Sequence, residues 1–322
     1  MSHVRPLLVV SACLLGDPVR YDGGTVDDPF VRSLASLCDV IKVCPEVGAG
    51  LGVPRARIIL FRKEGHIRAF QPGKGVDVTD KLLTFSRDFI ERCPEPDGFI
   101  LKGKSPSCSV SSSAILYQDP MGTKFLYKSK GIFASALLEA YPLLPIVDEK
   151  LLKNPEIRQH FVLRVFALAD VRISLEKAQN LNHIMELHRR HKYFLMLHSQ
   201  VALKKMGRFL AEAKGRPLQE VKDFYRAAFL SATHRRPSLG QWTNVFLHIF
   251  GHISTFLKPK EKEHFMKLLD HFRQRKIGQE VLLELLRNWA YRFDNNYLLE
   301  QSLLNYASLY TELKASLTSP TR

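Results

Sequence analysis

Leu7-Leu-Val-Val-Ser-Ala-Cys13 is a short apolar run, rich in β-branched residues, that ends on a cysteine. Asp39-Val-Ile-Lys-Val-Cys44 repeats the pattern, and Gly98-Phe-Ile-Leu-Lys102 is a third such run, with Cys108 six residues beyond it. Runs of this length and composition predict strands near 7–12, 39–43 and 98–102. The segments between them are long enough for crossover helices, and so predict parallel pairing.

Helices are expected near 28–37, 80–93 and 129–141, with Thr79 or Asp80 capping the second. A run near 143–147 contains Pro145 and suits an edge strand. Residues 57–70 read as a β-hairpin turning at Gly65. The first half is therefore expected to be α/β, with a Rossmann-like, largely parallel sheet and helices on both faces. After Asp148 the pattern becomes helical throughout, punctuated by Gly215-Arg-Pro217, Arg236-Pro237 and Lys258-Pro259. An α/β domain over 1–150 and an all-α domain over 151–322 are the expected units, joined near 149–155.

Charge divides along the same line. The first 150 residues carry 19 Lys/Arg against 17 Asp/Glu, and the rest carry 28 against 15, a balance of +13 out of the total +15. Ten of the twelve histidines also lie in the second part. A basic helical domain beside a nearly neutral one suits a polyanionic partner such as nucleic acid, or is simply a soluble basic surface.

No window approaches the roughly 18 apolar residues of a membrane span. The short apolar run after Met1-Ser-His-Val-Arg-Pro lacks a cleavage site of small residues, so a cytoplasmic location is expected. Five cysteines, an odd number, argue against a disulfide framework.

Parallel strands all end on one side of their sheet, and ligands collect in the crevice there. Cys13, Cys44 and Cys108 are thus expected to meet. Cys38 and Cys93 precede their strands and are expected at the opposite edge, although Cys93-Pro-Glu duplicates Cys44-Pro-Glu. Three converging thiols suit zinc or an iron–sulfur cluster, or are unrelated buried cysteines. Zinc would want a fourth ligand, and the only first-half histidines are His3 and His66. The glycine-rich loops behind the strands also bring Arg20, Asp22 and Lys104, as substrate-binding groups or as braces of the loops.

Gly98-Phe-Ile-Leu-Lys-Gly-Lys-Ser105 matches the phosphate-binding GxxxxGKS pattern. Its four variable positions read as strand, and Pro106 and Cys108 occupy the place of the helix, so nucleotide hydrolysis is not expected.

SACLLGDPVRYDGG, VCPEVGAGLGVPR and LKGKSPSC together resemble the bacterial thiouracil desulfidase family over about residues 5–148. The resemblance implies a 4Fe-4S cluster on Cys13, Cys44 and Cys108 with one open iron. It also implicates Glu46 and Ser105 in catalysis, and we expect Glu46 to act as the base and Ser105 as a proton relay. Ser109 departs from the glycine common at that position. NHIMELHRRHKYFLMLHSQ, TNVFLHIFGHIS and NNYLLEQSLLN resemble the YbgA-like helical domain often fused to this one, with Asn305-Tyr-Ala307 departing from the usual proline-containing turn. The fused proteins look like desulfidases of 4-thiouridine in tRNA. On that reading Arg189, Arg190, Lys192, Lys204, Lys205, Arg208, Arg235 and Arg236 form a phosphate track, extended by Arg273 and Lys276. His188, His198, His248 and His252, spaced at helical intervals, read as satisfied interior or groove-facing histidines, and Tyr193 and Trp242 read as core residues. A desulfidase of free thiouracil and a tRNA-binding protein with a structural or redox-sensing cluster remain the alternatives.

Overall fold

The computed structural model describes residues 4–318, with side chains to Ala315, so His3 lies outside the described residues. The chain forms two units, Met1–Phe161 and Val162–Arg322. Their division falls inside a long helix that begins at Pro155, a few residues beyond the expected junction.

The first unit is built on β1 (Leu7–Ser11) and β2 (Asp39–Val43), which pair in parallel. Between them lies α1 (Pro29–Ser36), which starts because the Asp28 carboxylate accepts the Val31 N–H and Pro29 needs no partner for its nitrogen. Cys44 opens α2 (Pro45–Gly48). β3 (Ile59–Lys63) and β4 (His66–Gln71) form the expected hairpin, with Glu64 and Gly65 both at positive φ. β5 (Val76–Asp77) leads into α3 (Thr79–Arg92). Neither expected residue caps α3: the Thr79 hydroxyl instead accepts the Ala69 N–H at 2.7 Å, tying the helix to β4.

β6 (Gly98–Leu101), β7 (Ala114–Tyr117), β8 (Phe125–Ser129), α4 (Ile132–Ala140) and β9 (Ile146–Asp148) complete the unit. One sheet runs β2-β1-β6-β9 and is wholly parallel, with β9 on the edge just past Pro145. Val9, Phe99 and Leu101 on one face bury against Phe85 and Phe89 of α3 and Phe133 and Leu137 of α4. Each such ring removed from water contributes about 2 kcal/mol. A second, mixed sheet runs β5-β4-β3-β7-β8. Sequence patterning marks only its β3–β4 hairpin, because β7 and β8 are short and joined through a polar Gln-Asp-Pro-Met-Gly-Thr turn.

Among its described residues the second unit is helical: α5 (Pro155–Lys177), α6 (Leu181–Arg190), α7 (Lys192–His198), α8 (Gln200–Ala211) and α9 (Leu218–Thr233) are followed by α10 (Leu239–Ile253), α11 (Pro259–Arg273), α12 (Gln279–Arg292), α13 (Asn296–Leu299) and α14 (Ser302–Thr318). Residues 182–214, which read as one helical stretch, break twice. His191 leaves the helix to join a buried network, and Ser199 caps α8 through the Ala202 N–H. That network centres on Asp170, which accepts from His191 at 3.0 Å, Tyr306 at 2.8 Å and Arg190 at 2.9 Å. Ser302 bonds the other ring nitrogen of His191. Tyr193 and Trp242 are buried in this interior. No described helix is long and apolar enough to cross a membrane.

Candidate active site

A cavity of about 720 Å³ opens in the first unit, and Cys13, Cys44 and Cys108 all line it. Each arrives by a different device. Cys13 sits in a 3-10 turn directly after β1, and Cys44 is the residue between β2 and α2. Cys108 lies in a tight turn after β6 that docks on the start of α4. There the Gly131, Ile132 and Ala134 N–H groups donate to the carbonyls of Ser109, Pro106 and Ser107. The first-turn donors that a helix leaves unpaired thus hold the cysteine turn. The approach is so close that a Cβ on Gly131 would overlap the Ser107 carbonyl group.

The Cys13 thiol is pushed up to about 11, first by burial and then by Cys44, with Lys102 opposing. Cys108 is pushed up by burial and then by Cys13, Glu46 and Cys44, and Cys44 also is raised, chiefly by burial. Among the described residues no three His, Cys, Asp or Glu side chains are arranged to hold a single metal ion. Ligands of an iron–sulfur cluster bind different irons, so they surround a volume. Two buried thiols, Cys13 and Cys108, and the half-buried Cys44 around one cavity that Lys102 also lines fit such a group.

Cys38 and Cys93 do not line the cavity. Cys38 lies beside Arg5, Asp39 and Asp97, at the starts of β2 and β6. Cys93 ends α3.

Glu46 is buried, with both carboxylate oxygens engaged. Arg55 Nε donates to Oε2 at 2.7 Å, and the Ser107 hydroxyl donates to Oε1 at 3.0 Å. Arg55 also donates to the Val19 and Gly52 carbonyls, so it binds the first two strand-end loops together. Ser105 Oγ accepts the N–H groups of Ser107 and Cys108, which shapes the cysteine turn and leaves the hydroxyl proton for the cavity. A second pair joins Lys102 Nζ, on the cavity lining, to Glu149 at 2.6 Å.

The remaining candidates divide. Arg20 and Lys104 line the cavity, whereas Asp22 does not. Its carboxylate faces Arg20 at 3.3 Å and accepts the Gly24 N–H, bracing the loop. Lys104 adopts φ +61°, a strained conformation for a non-glycine residue, and its N–H donates to Ser113. In the second unit Arg189 pairs with Glu186 and Glu300, and Arg190 pairs with Asp170. Lys192 lies over Tyr193 and Tyr297. Lys204, Lys205 and Arg208 share an exposed face of α8, and Arg235 and Arg236 are exposed beyond α9. His198 is buried and His188 largely so, their pKa values lowered to about 4 mainly by burial, whereas His248 and His252 are exposed and not interior.

Sequence reasoning misses Arg55, Ser107, Lys102 and Glu149 as site residues. Arg55 and Ser107 stand inside the motifs VCPEVGAGLGVPR and KSPSC, but only the fold brings them to Glu46. Seven cationic side chains line the cavity (Arg20, Arg55, Arg57, Lys102, Lys104, Lys128 and Lys150) against one carboxylate, Glu46. The near-neutral balance of the whole unit conceals this concentration.

Residues 8–149 match the family described as 2-thiouracil desulfurase, and residues 192–307 match a protein family of unknown function, DUF1722. Uncharacterized protein YbgA of Escherichia coli (strain K12) is 24% identical over 38% of this chain and 71% of its own length. Uncharacterized protein YbbK of Bacillus subtilis (strain 168) is 28% identical over 42% of this chain and 91% of its own. The solved structure of the 4Fe-4S-dependent thiouracil desulfidase TudS is 26% identical, covering 48% of this chain and 96% of that one with a TM-score of 0.36. The chain thus carries a 2-thiouracil desulfurase domain over residues 8–149 and a DUF1722 domain over residues 192–307.

Proposed function

We propose that the protein removes sulfur from 4-thiouridine in tRNA, giving uridine and sulfide, with a 4Fe-4S cluster on Cys13, Cys44 and Cys108. The convergence of these three thiols on one cavity, beside Glu46 and Ser105, carries the reading. The relative TudS is named for the same cluster dependence and for thiouracil. Held by three thiolates, a 4Fe-4S cluster offers one iron without a protein ligand as a Lewis acid for a thiocarbonyl sulfur.

The chain's own residues supply the proton handling. Glu46 Oε1 keeps a lone pair beyond its bond from Ser107 and takes a proton from water as the water adds at C4 of the pyrimidine. Arg55 and Ser107 fix the carboxylate so that this lone pair stays in place. The free Ser105 proton serves a ring nitrogen. Carbon exchanges its bond to sulfur for a bond to oxygen, sulfide departs, and no electron is gained or lost overall.

The +13 balance of residues 151–322 favours RNA as the carrier of the thiopyrimidine, through the phosphate attraction of exposed Lys204, Lys205, Arg208, Arg235 and Arg236. The family description favours a free thiobase as the second reading. Anaerobic reconstitution with iron and sulfide, then nucleoside analysis of 4-thiouridine-containing tRNA, tests the proposal. Loss of 4-thiouridine with matching uridine and sulfide supports it. Turnover of free 4-thiouracil with tRNA left untouched overturns the tRNA substrate.

A further inference from the structure

A base that reacts inside a cavity has left its neighbours outside. A space of about 720 Å³ takes one nucleotide and not a helix, so the flanking nucleotides stay at the mouth, unstacked on one side. The wall of the cavity formed by β7 and β8 continues into an open sheet face that suits them. Ile115, Tyr117 and Lys128 line the cavity itself. Across the two strands Ile115 pairs with Lys128 and, past a register shift between Leu116 and Tyr117, Tyr117 pairs with Phe125, and directly opposed residues share a face. Phe125, 55% exposed, therefore extends the cavity wall outward. β8 is the last strand of its sheet, so nothing pairs beyond it among the described residues.

The charge on this hairpin is one-sided. Lys124, Lys128 and Lys130 are exposed. The one acidic residue between 114 and 130 is Asp119, whose oxygens are engaged by the Met121, Thr123 and Lys124 N–H groups and the Thr123 hydroxyl. Exposed Arg57 adds to the basic rim. Aromatic rings set among cations take unstacked bases on their faces and phosphates on their ammonium groups, without regard to base sequence. A protein strand adding to the β8 edge would face the same three lysines, which oppose edge pairing.

We propose that the Tyr117–Phe125 face of the β7–β8 hairpin, with Lys124 and Lys128, holds the single-stranded nucleotides that flank the reacting base. The first unit thereby takes part in RNA binding alongside the helical one. This rests on the reading of tRNA as the substrate.

The test uses the full chain. First, a single-stranded RNA with 5-bromouridine next to 4-thiouridine is irradiated at the bromouridine absorption with cluster-free protein, and crosslinked peptides are identified by mass spectrometry. Crosslinks within residues 114–130 are expected, and crosslinks confined to 162–322 overturn the proposal. Second, the reconstituted Phe125→Ala enzyme is compared with wild type on tRNA and on free 4-thiouracil. The ratio of the two kcat/KM values is expected to fall about tenfold against tRNA. An unchanged ratio overturns the proposal while leaving the tRNA reading intact, and wild-type enzyme that leaves tRNA untouched overturns both. A dimer that Phe125→Ala dissociates, with the ratio unchanged, assigns the face to a second copy of the chain and overturns it as well.

Discussion

Arg55 Nε lies 2.7 Å from Glu46 Oε2, and the Arg55 side chain is only 3% exposed. A buried pair of this kind leaves an uncompensated charge when one partner is removed, at a cost of about 3 kcal/mol. Arg55→Ala is therefore expected to lower the urea midpoint of the first unit. In the reconstituted protein it should reduce kcat far more than KM, because the carboxylate loses its orientation. Arg55→Lys, which cannot span Glu46, Val19 and Gly52 together, should recover part of the stability and little of kcat. Equal losses in kcat/KM from KM alone would contradict the positioning role.

Gly131 touches the Cys108 turn so closely that no side chain fits between them. Gly131→Ala must push that turn away from the start of α4. Iron incorporation is expected to fall well below wild type, with far-ultraviolet circular dichroism little changed. Undiminished iron content in the variant would show that the turn moves freely.

The helical unit should weaken as pH falls from about 6.5 towards 4. Burial, with His191 nearby for His188 and Arg164 for His198, lowers both pKa values to about 4. Between 4 and 6.5 the unfolded chain binds protons at these positions and the folded chain does not, so stability declines with falling pH across that window. Asp170 adds a later loss. Burial opposes its ionisation, but His191, Arg190 and Tyr306 hold its carboxyl well below the usual range. Its contribution is intact above about pH 4 and disappears as pH falls further. Thermal denaturation against pH checks this, and His188→Gln should flatten the upper part of the slope.

Much of the site is legible in order along the chain. β1, β2 and β6 are short apolar strands whose ends are marked by the polar and glycine-rich loops behind them. The places of Cys13, Cys44 and Cys108, and the separation of Cys38 and Cys93, can therefore be read from strand direction. The GxxxxGKS pattern is no phosphate loop, since Gly98–Leu101 is strand. Side-chain partnerships are not legible. Arg55 meets Glu46, and Ser107 meets it from another loop, only after folding, while Asp22 turns to its own loop instead of the cavity. The β7–β8 hairpin escapes because its exposed face carries Ile115 and Phe125 where a polar alternation would have marked a strand. The helical breaks at His191 and Ser199 depend on a buried carboxylate and a cap that periodicity does not register.

Salt separates the two substrates. Phosphate contacts release counterions, so kcat/KM on tRNA should fall steeply between 50 and 200 mM salt, roughly as a high power of concentration. Turnover of free 4-thiouracil should change little over the same range. Parallel curves would remove the helical unit's basic surface from substrate binding.

The three-thiol site is tested most directly by iron and sulfide content after anaerobic reconstitution of five single variants, each cysteine replaced in turn by serine. Wild type, Cys38→Ser and Cys93→Ser are expected to hold about four irons and four sulfides per chain, with the visible absorption of a 4Fe-4S cluster. Cys13→Ser, Cys44→Ser and Cys108→Ser are expected to lose it. A full cluster in any of those three, or its loss in Cys38→Ser or Cys93→Ser, would contradict the account.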